Sequence, residues 1–444
     1  MASDFDGKGR AVPSGRLSRL GAFGRMAGGV AGGVVAEGAR RLAAGERPQM
    51  SDLLLTPANV TRVTDQLSNL RGAAMKLGQM ISMDTGDILP KELTDILSRL
   101  RNQAYHMPPA QLQTVLAAQW GKDWRRRFTR FGASPIAAAS IGQVHKALTH
   151  DGRELAVKVQ YPGVRESIDA DVDNVATLLR ISGLLPKAID IAPLLIEAKR
   201  QLHEEADYVR EGEQMARFAD LLADAPEFIV PVLDPEFSGD RVLAMSFVAG
   251  SSIESLVDAP QEERDRVMHS LIELVLREMF EFGLMQTDPN FANFRYQRDT
   301  GKLVLLDFGA VRDIDPATAR GYHALLMAGL NNDRDSARAA AVAAGFLNDL
   351  TATRHRAAID RMIDVVMAEM NKPGPFDFGD RAFVSVLRDQ GIEIAEDREA
   401  WHIPPVDTLF VQRKISGTAL LAARLKARVD VRAMVEGYRR AFGG

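Results

Sequence analysis

Asp288-Pro289-Asn290-Phe291-Ala292-Asn293, followed fourteen positions after Asn293 by Asp307-Phe308-Gly309, constrains this chain more than any other stretch. Phosphoryl transfer needs little covalent help, so a protein that performs it must position a nucleophile and hold the magnesium ions that neutralise charge across the phosphates. Mg²⁺ takes oxygen ligands, commonly one or two carboxylates completed by phosphate oxygens and water, and Asp307 with Asn293 fits that donor set. Leu303-Val304-Leu305-Leu306 reads as a short buried strand entering the Asp-Phe-Gly turn. The tripeptide alone is expected by composition in roughly one chain in ten of this length, so its spacing from Asp288 and Asn293 is what gives it weight.

Asp288 stands five residues before Asn293, the separation of acid and amide in the kinase catalytic-loop pattern H-R-D-x-x-x-x-N. Thr287 occupies the position where most protein kinases carry Arg, which argues against an ordinary protein kinase. The other half of a nucleotide site lies upstream. Ala156-Val157-Lys158-Val159 matches the strand motif in which a lysine contacts the α- and β-phosphates and is held by a helix glutamate. In the acidic run from Glu204 to Glu211, residues 204, 207 and 211 are read as one helical face, on which Asp207 and Glu211 repel at i,i+4 unless a cation compensates. Lys158 with Glu211 is the expected pair. Ahead of this strand stands Ala137-Ala138-Ala139-Ser140, where a kinase would carry glycines. Alanine's Cβ resists the positive φ and close backbone approach that glycine allows, so this loop should be stiffer over a nucleotide.

Composition bounds the alternatives. The 444 residues suffice for two or three domains or one large two-lobed domain. A net charge of −4 gives no argument for nucleic acid, and the absence of cysteine excludes disulfides, thiolate catalysis and Cys-ligated metal. Residues 1–50 are different: eight basic residues (8, 10, 16, 19, 25, 40, 41 and 47) face four acidic ones (4, 6, 37 and 46) around an uncharged Gly-rich run, Met26 to Ala36. That run is too short to span a bilayer, which needs about twenty apolar residues, and it lacks a signal-peptide cleavage site. It suits a flexible leader, a helix-packing segment or a basic element on an anionic surface. No transmembrane helix is expected. Four regions follow: a basic Gly-rich leader over 1–50, a helical extension over 51–125, a small lobe with a helical insertion over 126–250, and a helical large lobe over 251–444.

Together these residues resemble the ABC1/UbiB/ADCK atypical kinases, a protein-kinase-like family tied to ubiquinone biosynthesis. The resemblance rests on Lys76-Leu77-Gly78-Gln79 (K-x-G-Q), the Ala137–Ser140 loop, Glu205-Ala206-Asp207 (E-x-D), and Gln286-Thr287-Asp288-Pro289-Asn290 with Asp307-Phe308-Gly309. It implies an α+β, two-lobed protein-kinase-like fold, predominantly helical, with a helical N-terminal extension. By the same resemblance, ATP and Mg²⁺ are the cofactors, Lys158, Glu211 and Asp288 are the catalytic residues, and Asn293 and Asp307 are the metal ligands. The alanine loop, Lys158 and Met245 to Val248, including Phe247, would hold nucleotide. Lys76 and Gln79, three apart on one helix face, would fold over the site, Lys76 meeting Glu205 and Asp207 where a protein substrate would otherwise bind.

The function implied is an ATP-binding, Mg²⁺-dependent kinase or ATPase supporting ubiquinone biosynthesis, with lipid or quinone intermediates and the enzymes that modify them as partners. A kinase for a small molecule or lipid and a nucleotide-regulated scaffold without turnover are the alternatives. The complete set of Lys158, Asp288, Asn293 and Asp307 argues against the scaffold. The expected setting is cytoplasmic with peripheral contact at an inner membrane, or the mitochondrial matrix in a eukaryote, although Asp4 and Asp6 are unusual in a transit peptide.

Overall fold

The computed structural model describes residues 106–181, 192–395, 397 and 404–440. The leader, most of the helical extension, and with them Lys76 and Gln79, lie outside the described residues. The chain divides into two compact units: one runs to Ala216 and takes in Pro231–Val248, the other comprises Arg217–Val230 and everything from Ala249.

The first unit is built on an antiparallel sheet of β1 (Phe128–Phe131), β3 (Gly142–Thr149), β4 (Glu154–Gln160) and β6 (Val242–Ser246) in the order β1-β3-β4-β6, with the short β2 (Ala137–Ala138) also on β3. In β4, Leu155, Val157 and Val159 alternate into the core, the period-2 pattern of a strand with one apolar face. Helix α1 (Pro109–Trp120) starts with proline at its first position, where the missing N–H costs nothing, and lays Leu112, Val115 and Leu116 against that face. Trp120, Trp124, Phe128, Phe131 and Phe237 form one cluster of tilted and edge-on rings beside it.

His145, on β3, is buried and its tautomer is fixed by neighbours. Gln143 Oε1 accepts from Met107 N at 2.8 Å, so its amide nitrogen donates to His145 Nε2 (2.9 Å) while His145 Nδ1 donates to Gly132 O (2.7 Å). Burial lowers the imidazole from 6.5 to about 4, opposed by the Gly132 hydrogen bond and assisted by nearby His106. The unfolded chain therefore takes up this proton first as pH falls. The contribution of neutral His145 is whole above pH 6.5 and shrinks by about 3 kcal/mol on descending to about pH 4. Wild type should lose more stability than His145→Gln over that interval in urea titrations followed by tryptophan fluorescence; parallel losses would refute the assignment.

Helices α2 (Val164–Ile181), α3 (Ala192–Glu205) and α4 (Tyr208–Leu221) follow β4. The single helical face expected over residues 204, 207 and 211 is not formed. The helix stops at Glu205, and Asp207, outside it, accepts from Arg210 N at 3.0 Å as a capping group for the next helix. A short carboxylate that can satisfy orphan N–H groups favours a helix start over a helix interior, and here that preference wins. Gln160 Nε2 holds the break from the sheet side by donating to Ala206 O at 3.0 Å.

The second unit carries a four-stranded sheet in the order β5 (Phe228–Ile229), β10 (Lys302–Leu305), β9 (Phe294–Gln297), β7 (Ser251–Ser252), and a two-stranded ribbon of β8 (Leu284–Gln286) with β11 (Val311–Asp313). Its helices are α5 (Gln261–Arg277), α6 (Pro316–Leu330), α7 (Arg334–Ala343), α8 (Asp349–Arg354), α9 (Arg356–Met370), α10 (Ala382–Ala395), α11 (Val406–Leu425) and α12 (Val431–Gly437). Helix α5 passes directly into a π-helical turn, Glu278–Phe282, ended by Gly283 at φ +59°. Val275, Met279, Met285, Ile314, Ala319, Tyr322 and Val411 make the core that joins α5, β8, α6 and α11. Among the described residues no helix is long and apolar enough to cross a membrane.

Candidate functional site

In the first unit Lys158 sits at the middle of β4 between apolar neighbours, 8% exposed, with Glu211 of the first turn of α4 at 1%. Its Nζ donates to both carboxylate oxygens of Glu211, at 2.6 and 2.8 Å, and lies 5.1 Å from the Tyr208 ring centroid. The helix break explains how Glu211 reaches the strand: Asp207 starts α4 so that its first turn, not the acidic end of α3, meets Lys158.

Ala137–Ser140 is a hairpin arm. Ala137 and Ala138 pair with Val144 and Gln143, and Ala139 N donates to Gly142 O at 2.9 Å, closing a turn through Ser140 and Ile141. Alanine suits an extended arm, and the one glycine that matters follows it. A Cβ at Gly142 would stand 2.6 Å from Val159 O and 2.7 Å from the Tyr208 hydroxyl, so only glycine lets β3 lie this close to β4 and α4. Ser140 Oγ donates to Glu205 Oε2 at 3.0 Å, tying the loop to the end of α3, a contact that residue types 65 positions apart do not signal. Of the segment expected against adenine, Met245 is buried in β6, and the backbone N–H groups of Ser246 and Phe247 already donate to Val232 O and Glu154 O, both at 2.8 Å. The Phe247 ring lies under Lys146 Nζ at 3.9 Å.

In the second unit the fourteen-residue interval between Asn293 and Asp307 is a β-hairpin. Phe291–Asn293 is a single 3₁₀ turn with Asn290 Oδ1 accepting from Ala292 N (3.1 Å), after which β9 and β10 pair in register from Phe294–Leu305 to Gln297–Lys302. Leu306 N donates to Asn293 O at 3.0 Å, bringing the two ends of the hairpin together beside Asp307. Asp307 Oδ1 accepts from Gly309 N (3.0 Å), and Phe308 is buried 5.3 Å from the Phe218 ring. Asn293 Nδ2 donates to Asp288 Oδ2 and O, each at 3.3 Å, which leaves Asn293 Oδ1 as the oxygen that can ligate a cation. Thr287, in the position of the usual Arg, donates from both N and Oγ1 to Ala310 O at 3.1 and 2.8 Å, pinning the loop to the residue after Asp307-Phe308-Gly309.

Two basic residues here escaped the sequence reading. Arg413 of α11 donates from Nη2 to Asp288 Oδ1 at 2.9 Å, and Lys414 lies 3.2 Å from Glu278 Oε2 and 3.5 Å from Gln286 Oε1. Both are buried. The available signal was an Arg-Lys pair inside the otherwise uncharged stretch Leu409 to Leu421, but nothing in it named a partner 125 residues upstream. Oxygen donors from Asn293 and Asp307 suit Mg²⁺, a cation usually completed by phosphate and water.

A lysine–glutamate pair on a small antiparallel sheet in one unit, and an Asp, an Asn and an Asp-Phe-Gly turn disposed around one hairpin in the other, define an α+β protein of the two-lobed kinase-like class. The chain belongs to the family described as the ABC1 atypical kinase-like domain, whose match spans residues 99–341. It is 38% identical over 429 residues to the mitochondrial atypical kinase COQ8 of Saccharomyces cerevisiae, covering 95% of this chain and 84% of that one. It is also 38% identical to the mitochondrial atypical kinase COQ8B of Rattus norvegicus, covering 95% and 80%. Among solved structures, Mycobacterium tuberculosis Rv3197 in complex with erythromycin is similar at 28% identity and a TM-score of 0.59, over 83% of this chain and 93% of that one.

Proposed function

We propose that this chain is an ATP-binding, Mg²⁺-dependent atypical kinase or ATPase that supports ubiquinone biosynthesis and does not phosphorylate proteins in trans. The observation that carries this reading is the Asp288–Asn293 contact beside Asp307: one amide both steadies the catalytic-loop acid and turns its oxygen to serve as a ligand. Lys158, held by Glu211, takes the α- and β-phosphates, and Asn293 with Asp307 takes the cation. When bound, Mg²⁺ supplies charge neutralisation across the β- and γ-phosphates. Asp288, with one carboxylate oxygen on Arg413 and the other on Asn293, orients the attacking hydroxyl or water. The alanine hairpin, fixed through Ser140 to Glu205, covers the phosphates more rigidly than glycines would. Lys76 and Gln79 remain assigned to occlusion of a protein substrate, on the resemblance alone. Both COQ8-type relatives are described as mitochondrial, and an inner-membrane surface is the setting that suits a peripheral protein working on lipid or quinone intermediates.

Phosphate release from MgATP tests this directly, measured with and without vesicles of anionic lipid and with phenolic quinone precursors. Turnover in any of these conditions that disappears with EDTA supports the enzyme reading. No phosphate released and no acceptor labelled in all of them would leave only a scaffold. Normal ubiquinone after deletion of the gene would remove the pathway assignment while leaving the chemistry.

A further inference from the structure

Three successive features of α11 meet three nearby positions of the catalytic loop. Arg413 reaches Asp288, Lys414 reaches Gln286, and Gly417, three residues after Lys414, is packed on Pro289 so tightly that a Cβ there would stand 2.2 Å from Pro289 Cβ and 2.4 Å from its Cγ. Residues three apart share a helix face, so Lys414 and Gly417 press on the loop together.

Lys414 has a second anchor. Glu278, the first residue of the π-turn and 0% exposed, accepts from Gln286 N through Oε1 at 3.3 Å and places both carboxylate oxygens within 3.5 Å of Lys414 Nζ. A π-turn widens the helix by one residue per turn and is found disproportionately at functional sites. Here it brings Glu278 to the strand that delivers Gln286, two residues before Asp288. Two charges buried this deeply are poor devices for stability alone, because their desolvation offsets most of their attraction, and apolar replacements of similar volume are often neutral or better. What such a pair does well is fix a register between elements.

We infer that Glu278, Lys414 and Gly417 are positioning residues that set Asp288 and Asn293 for catalysis, acting through Gln286 and Pro289. This inference rests on the proposed ATP chemistry. None of the three contacts nucleotide or metal in this scheme. Their loss should appear in kcat and not in nucleotide affinity, since a misplacement of about 1 Å costs about 100-fold in rate.

The test uses the full chain and compares Lys414→Met, Glu278→Gln, the double variant and Gly417→Ala in MgATP hydrolysis, with MgATP affinity and melting temperature measured alongside. Expected are a fall in kcat of about 10- to 100-fold in each, MgATP affinity within about threefold of wild type, and recovery of melting temperature but not of kcat in the double variant. A pair with a merely structural role would show kcat returning with stability, or lost together with affinity, and either outcome overturns the inference. If the single variants aggregate, the double variant, which buries no unpaired charge, decides alone. The failure of the underlying reading looks different: wild type that releases no phosphate, or Asp307→Asn that releases as much as wild type, defeats both. Asp307→Asn inactive while Lys414→Met, Glu278→Gln and Gly417→Ala turn over at the wild-type rate defeats this inference only.

Discussion

Asp307→Asn should lower Mg²⁺-dependent ATP turnover by about 1,000-fold while leaving the melting temperature close to that of wild type. The substitution keeps the local structure because the contact Gly309 N makes within the turn, donating to Asp307 Oδ1 at 3.0 Å, is equally available to an asparagine oxygen. What changes is charge. Of the two oxygen donors assigned to the cation, Asn293 is neutral, so Asp307 supplies all the negative charge the protein brings to that coordination shell. Preorganised electrostatic groups at a reacting centre are worth about 100- to 1,000-fold each when removed, and a metal ligand belongs at the upper end because the ion is lost with it. Nucleotide binding measured with and without Mg²⁺ separates this from a folding defect. Wild type should bind ATP more tightly with Mg²⁺ present, and Asp307→Asn should bind it with an affinity that no longer responds to the ion. A variant that keeps both turnover and Mg²⁺ response would show that Asp307 is not a ligand.

Much of this arrangement is legible in the sequence where the physics is local. Ala156-Val157-Lys158-Val159 reads as a strand motif, and it lies inside the observed strand Glu154–Gln160, where Leu155, Val157 and Val159 alternate into the core. The apolar Leu303–Leu306 run gives β10, and the catalytic-loop and Asp-Phe-Gly motifs point to the kinase-like class that the fold and its relatives share. The acidic run after Glu204 misleads because helical periodicity is blind to a capping side chain: Asp207 satisfies an N–H of a new helix, and a plot of charges on one continuous helix cannot show that. Thr287 reads as a missing arginine, whereas in the fold it is a double anchor to Ala310 across the β8–β11 ribbon. Arg413, Lys414 and Gly417 are illegible for a different reason. Their meaning lies in contacts with residues more than a hundred positions away, and a buried cation in a helix announces that it has a partner without saying which.

Lys158→Met should destabilise the first unit by about 3–5 kcal/mol, the cost of leaving one member of a buried pair without its counter-charge. Glu211 is 1% exposed, so water cannot replace the two Lys158 hydrogen bonds at 2.6 and 2.8 Å. Glu211→Gln should cost less, because a neutral amide can still accept from Lys158 and the Tyr208 ring, 5.1 Å from Nζ, offers the ammonium a second favourable surface. Combining the two substitutions should recover part of the loss, giving a coupling of about 2–3 kcal/mol between the positions. Urea unfolding in a Trp401→Phe background isolates the relevant signal, since Trp120 and Trp124 then report alone and both belong to the aromatic cluster of the first unit. Single variants within about 0.5 kcal/mol of wild type, or effects that simply add, would mean that the pair is not energetically coupled. Turnover should follow another pattern. Methionine cannot donate to a phosphate oxygen whatever stands at 211, so the double variant should regain stability and remain inactive. If activity came back with stability, Lys158 would be holding the fold together without serving the nucleotide, and the phosphate-binding role would have to be reassigned within the first unit.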